Sequence, residues 1–210
     1  MSNIKKAGML IVLLALPAFF FVFLKLFGSN HYDLPYFHPL RDPGNRVLMN
    51  GADTVYYALS EPLGRTGAGD TLTAGVLESH INLFLLPARL EGTGERRVAA
   101  VERLEERLKD VADVQLFVLD TPGRDTLASA QFPGLAVTSL QLSAPAWTTL
   151  LKLDNLSTVE GTLTHATSLV LVDGKRHIRG YYDVLNPDDF DRVLAEVKIL
   201  AYQKKMAAKK

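Results

Sequence analysis

Cysteine is absent from this 210-residue chain. That one absence removes disulfides, thiolate metal sites, cysteine nucleophiles and thiol redox chemistry together. Any of those functions would have to be borrowed from a partner. Net charge is absent as well: 23 Lys and Arg balance 23 Asp and Glu, so no global field argues for nucleic acid or an acidic partner. Methionine is scarce, and Met49 is alone in the body of the segment 46–204. Nucleophile motifs are missing too. Ser139, Ser143, Ser157 and Ser168 lack a GxSxG elbow, and no base and orienting group accompany them.

Long apolar runs are limited to one. Lys5 and Lys6 precede Ala7–Leu24, which is uncharged and broken only by Gly8 and Pro17, and Lys25 follows. At 1.5 Å per residue this run covers about 27 Å, enough for a bilayer core. A cleaved signal peptide is the competing reading, but Phe19-Phe20-Phe21-Val22-Phe23-Leu24-Lys25 has no small-x-small cleavage site. The expected organisation is a cytoplasmic N-terminus (1–6), a single transmembrane anchor (7–27), a linker (28–45), one domain (46–204) and a basic tail (205–210). The paired lysines place the domain on the extracytoplasmic side of the cell (inner) membrane.

The linker contains HYDLPYFHPLRDPGN, with too many prolines for regular structure. Arg46–Met49 and Thr54–Leu59 flank Asn50-Gly51-Ala52-Asp53 and read as a hairpin. Glu61–Asp70 reads as a glycine-rich loop without the GxxxxGK[ST] spacing of a phosphate cradle. Ile81–Leu86 is an apolar strand stopped by Pro87, and Glu95–Asp110 is an amphipathic helix with Val98, Ala100, Val101, Leu104 and Leu108 inward. Its Glu and Arg run is a solvated, ion-paired face. Val114–Leu119 is the next strand. A short helix is expected over Asp125–Ala130, a strand over Ala136–Leu140, and a helix over Pro145–Lys152 with Trp147, Leu150 and Leu151 inward. Asp120 and Asp125 form a carboxylate pair on paper, but a solvated turn explains them.

Ser168–Asp183, SLVLVDGKRHIRGYYD, organises the rest. Leu169–Val172 reads as a strand buried on both faces, Asp173-Gly174 as a tight hairpin turn, and His177–Tyr182 as the adjacent strand. Asn186-Pro187-Asp188-Asp189 then supplies a cap, a first-turn proline and acids at the positive end of a helix dipole. Capping also accounts for Asp191. Phe190, Val193, Leu194, Val197, Leu200 and Ala201 share one stripe.

The segment His165–Asp173 followed by Ile178-Arg179-Gly180-Tyr181-Tyr182-Asp183 resembles the C-terminal signature of the SCO/SenC proteins. These are membrane-anchored, thioredoxin-like copper chaperones of cytochrome c oxidase assembly. The resemblance implies an α/β, thioredoxin-like three-layer sandwich behind one N-terminal transmembrane helix. It also implies a copper site of two cysteines in a CxxxC motif plus one distant His. Here the motif's place is Pro87–Glu95, PARLEGTGE, with the cysteine slots near Leu90 and Gly94 and no sulfur in either. His165 falls on the family's His position and is the one candidate metal ligand. Its competing reading is a loop residue hydrogen-bonded to backbone. Cu(I) favours soft thiolates and needs two or three good ligands, and His31, His38, His80 and His177 show no ligand pairing.

The expected function is that of a SCO/SenC-like protein without metal or redox chemistry, with no cofactor and no enzymatic activity. It would serve as a binding or assembly factor for a respiratory oxidase. Its partners would be the membrane, through the N-terminal helix, with oxidase subunits or other SCO-like proteins, and no nucleic acid. The alternative is a copper chaperone that uses His165 with ligands supplied by a partner.

Overall fold

Every residue of the strand Leu169–Val172 is buried, as a strand with helices or loops on both faces must be. It sits inside a seven-stranded sheet. The structure, a computed structural model, describes residues 13, 15–23, 33–60, 62–90, 94–120, 135–154 and 167–208. Two compact units divide it, Met1–Asp33 and Leu34–Lys210. In the first, residues 15–23 are helical and Phe19 stacks on Phe23 at 6.2 Å. Among the described residues no helix is long and apolar enough to cross a membrane. The remainder of the expected anchor 7–27 lies outside the described residues.

In the second unit the strands are β1 (Met49–Asn50), β2 (Asp53–Thr54), β3 (Gly64–Thr66), β4 (Thr71–Leu72), β5 (Ile81–Leu85), β6 (Val114–Asp120), β7 (Ala136–Gln141), β8 (Leu169–Val172) and β9 (Ile178–Tyr182). The helices are α1 (Gly94–Leu108), α2 (Ala144–Leu150) and α3 (Pro187–Ala207). The large sheet runs β4-β3-β7-β6-β5-β8-β9. β5, β6 and β7 are parallel, whereas β8 is antiparallel to β5 and β9 to β8. A parallel pair needs a crossover, which α1 supplies between β5 and β6. The order β6-β5-β8-β9, with α1 between β5 and β6 and α3 after β9, is the thioredoxin-like core.

The period-2 alternation of the central strands divides two apolar layers. Leu83, Leu85, Leu116, Val118, Leu169 and Leu171 face α1 and α3. Phe84, Leu86, Phe117, Leu119, Val170 and Val172 face α2 and the segment Leu59–Leu77. Phe84 and Phe117, in register across β5 and β6, stack at 5.0 Å. α1 and α3 meet where the Arg103 guanidinium lies 4.2 Å over the Phe190 ring. The Asn186 carboxamide oxygen accepts the Asp188 N–H at 2.9 Å, the cap read from the sequence.

Several expectations change. Leu34–Asn45, expected as linker, belongs to the compact unit. The reason is main-chain pairing: Phe37 N–H donates to Ile178 O (3.1 Å) and Tyr57 N–H to His38 O (2.9 Å), while Leu40, Val55 and Leu48 close a three-way ring of such bonds. The expected loop 61–70 contains β3 and turns into β4, joining the sheet edge through Arg65 opposite Gln141. In the β8–β9 turn the left-handed residue is Arg176, φ 71°, not Gly174. Gly174 is needed for close approach instead, since a Cβ there would sit 3.0 Å from Ser79 N. The helix expected over Asp125–Ala130 lies outside the described residues.

β9 carries an extra residue: Leu171 faces Gly180 and Val172 faces Ile178, so Arg179 is bulged. Gly180 then lies beneath the Tyr182 ring, where an added Cβ would overlap the Tyr182 hydroxyl and Cζ. Gly180→Ala is expected to cost about 1–3 kcal/mol through overpacking in urea unfolding. In Gly180→Ala/Tyr182→Ala the glycine change should add far less than it costs alone. Equal costs in both backgrounds would refute the steric account.

Candidate functional site

In open α/β sheets, sites form beyond the carboxyl ends of the parallel strands. Here that end is the β5–α1 junction. After Leu85 the chain makes a short 3-10 turn, Pro87–Arg89. Leu86 N–H donates to Ser168 O at 2.8 Å, so the residues just before β8 lie against it. Thr167 and Ser168 are buried, and the Ser168 hydroxyl oxygen accepts Val184 N–H at 3.0 Å. The Arg89 guanidinium lies 5.5 Å over the Trp147 ring. Burial lowers the Arg89 pKa and the Asp154 carboxylate opposes that shift. A guanidinium remains charged even so. Leu90, near which the resemblance would place one of the two cysteines, is a buried core residue.

The described part of this junction therefore offers an aromatic-backed cation and apolar walls. It does not fit copper. Leu90 is hydrocarbon, Gly94 has no side chain, and a guanidinium repels a metal ion. Among the described residues no three His, Asp or Glu gather at ligand spacing. His165 and Ser157 lie outside the described residues, as do 91–93 and 121–134. Ser139 and Ser143 are on β7 and at the start of α2, far in sequence from any His, and Asp188 and Asp189 open α3 as expected.

Two polar networks escape sequence reading. At the far end of the β8–β9 hairpin, Asp173 and Arg179 form a buried ion pair, 2.9 Å from Oδ2 to Nη1. Asp173 Oδ1 also accepts the N–H groups of Lys175 (2.9 Å) and His177 (3.0 Å). Arg179 further donates to Pro35 O (2.9 Å) and Leu34 O (2.7 Å), and Tyr36 stacks 3.7 Å from its guanidinium. Arg179 thus fastens the first residues of the domain to its last hairpin. The bulge that turns it inward was the missing signal, since simple alternation in IRGYY does not reveal one.

The second network is under α2. The Tyr181 hydroxyl donates to Leu151 O at 2.8 Å and so accepts from His38 Nε2 at 2.6 Å. His38 is therefore assigned the Nε2–H tautomer. Tyr57 donates to Leu150 O at 3.1 Å, and Lys152 covers its ring. Burial pushes His38 below the ordinary 6.5, helped by Lys152, and burial raises Tyr181. On the opposite face Tyr182 donates to Glu196 at 2.5 Å, whose carboxyl is held up mainly by burial.

No family model matches this chain, and neither does any curated protein. Solved structures do. It is similar to a SCO1/SenC family lipoprotein from Bacillus anthracis, at 18% identity over 69% of this chain and 95% of that one, TM-score 0.49. BsSco, a member of the Sco family of cytochrome c oxidase assembly proteins, is 14% identical over 69% and 98%, TM-score 0.47. Yeast Sco1 with copper bound is 15% identical over 69% and 95%, TM-score 0.44. The fold assignment rests on the strand order above.

Arg179→Met should leave Asp173 buried without its partner and cost about 3–5 kcal/mol. Arg179→Lys, which keeps the charge and loses the fork, should fall between. Limited proteolysis should then cut within 34–45, and equal stability of all three proteins in urea would refute the clamp. A separate outcome concerns pH. The unfolded chain protonates its histidines first, because His38 and His177 both titrate below 6.5 when folded. Stability is therefore full above pH 6.5 and falls as the pH drops below it. His38→Asn, suited to the left-handed φ of 58°, should flatten that fall. An unchanged slope in calorimetry would count against the assignment.

Proposed function

We propose that this protein is a membrane-anchored binding or assembly factor on a thioredoxin-like scaffold, acting in respiratory oxidase biogenesis without thiol or resident-metal chemistry. One observation carries the reading. At the β5–α1 junction, Leu90 is packed into the core and Arg89 rests on Trp147, so a filled, cationic surface stands where this fold offers a reactive pair. A thiol reaction needs a thiolate, and this chain has none. What remains is recognition: an Arg backed by an aromatic ring is a frequent interface anchor. The oxidase link rests on the His165–Asp183 resemblance, and the names of the Sco-family neighbours agree with it. The apolar run Ala7–Leu24 supports the anchor, and Lys5 and Lys6 support an extracytoplasmic domain.

Deleting the gene in its own cell should lower assembled oxidase, read as the haem absorbance and oxygen uptake of isolated membranes. Wild-type chain and His165→Ala should restore both equally, while Arg89→Glu, at a half-buried site, should not. Rescue that fails specifically for His165→Ala would move the function to copper delivery. Normal oxidase in the deletion strain would overturn the reading.

A further inference from the structure

Basic and apolar residues gather at the end of the domain where the chain enters it. After Glu196 the sequence holds Lys198, Lys204, Lys205, Lys209 and Lys210 and no acid, in a chain whose net charge is zero. On the same stretch of α3, Tyr202 and Met206 are 56% and 43% exposed. Lys198, Tyr202 and Lys205 border a cavity with Asp110 and Asp113 on one flank of α3, and Lys204 links that flank to the side that meets the N-terminal arm. One cavity of 370 Å³ is bordered by Tyr36, Lys175 and Arg179 together with Gln203, Lys204 and Ala207 of α3. A second, of 640 Å³, shares Tyr36 and Lys175 and reaches the β1–β2 tip at Asn50 and Asp53. On that hairpin Leu48 and Met49 are exposed, Met49 at 54%.

The acids of this face are mostly engaged. Asp113 pairs with Lys204, which also donates to Ser79 O, and Asp173 pairs with Arg179. Asp53 and Asp110 remain at its margins. The result is a cationic surface studded with Tyr and Met side chains, the composition that lies on anionic lipid.

We propose that this face, formed by the C-terminal half of α3, Tyr36 and the β1–β2 arm, docks on the anionic phospholipid surface of the membrane. The inference rests on the anchor reading. From Leu24 to Leu34 the chain spans at most about 35 Å even when fully extended, and Leu34 and Pro35 are bound to Arg179 beside Tyr36. The chain therefore joins the domain at this end, beside Tyr36, and not at the β5–α1 end. Docked this way, the domain keeps the Arg89–Trp147 surface free for a partner.

A chain without cysteine allows unique spin labels. Met206→Cys, Leu48→Cys, Glu106→Cys on the solvated face of α1, and Phe21→Cys in the apolar run would each be labelled in the full chain. The labelled proteins would go into phosphatidylcholine vesicles with or without phosphatidylglycerol. With phosphatidylglycerol, labels at 206 and 48 should favour oxygen over a nickel chelate as relaxant, while 106 stays aqueous. High salt or Lys198→Glu/Lys205→Glu should reverse this. Labels at 206 and 48 as aqueous as 106, with 21 in lipid, would overturn the docking alone. Dipolar broadening at 206 in detergent without phospholipid would overturn it in favour of a second copy. An aqueous label at 21 would instead sink the anchor reading. Co-sedimentation with the phosphatidylglycerol vesicles would then decide the face: salt-sensitive binding, weakened about thirtyfold or more by the double charge reversal, upholds it, and no binding overturns it.

Discussion

The buried Arg179–Asp173 pair is the interaction on which the arrangement of this domain depends. A buried guanidinium must find partners, and each of the three nitrogens of this one donates a bond, to a carboxylate and two main-chain carbonyls. Those carbonyls belong to Leu34 and Pro35, and the carboxylate shapes the β8–β9 turn. One side chain therefore sets where the chain enters the domain relative to the sheet edge. The pair is weak evidence for stability as such, because desolvation offsets much of its attraction. Its consequence is positional: break it and the N-terminal arm loses its attachment.

Around that fastening the fold is ordinary hydrophobic physics. Strands β5, β6 and β8 present one row of side chains to α1 and α3 and the other to α2 and the Leu59–Leu77 segment. Polar groups inside are few and mostly satisfied. Among the described residues Asn82 Oδ1 and His177 Nδ1 are the exceptions, and the Asn82 amide still donates to Leu77 O and His80 O. It holds the turn leading into β5 at the cost of one unpaired acceptor.

The sheet interior was legible because apolar runs of β-branched residues and the 3.6-residue stripes of α1 and α3 are local signals. Leu169–Val172, Ile178–Tyr182 and Phe190–Leu200 needed nothing else. What escaped depends on non-local bonds. Residues 34–45 look like a proline-rich linker because their order comes from carbonyls paired with β9, Tyr57 and Arg179, far along the chain. Gly64–Thr66 reads as loop because it is three residues long and is held in the sheet through β7, far along the chain. His38 looks like a linker histidine until Tyr181 is seen above it. At the β5–α1 junction the missing sulfurs were plain from composition, but the stacking of Arg89 on Trp147 required the fold.

The central claim is that a thioredoxin-like scaffold works here with neither thiol nor copper. Competition for Cu(I) between the purified full-length protein and a coloured chelator tests this most directly, with His165→Ala beside it. The account predicts that neither protein withdraws copper from the chelator. Withdrawal of one copper per chain by the wild type, abolished in His165→Ala, would contradict it.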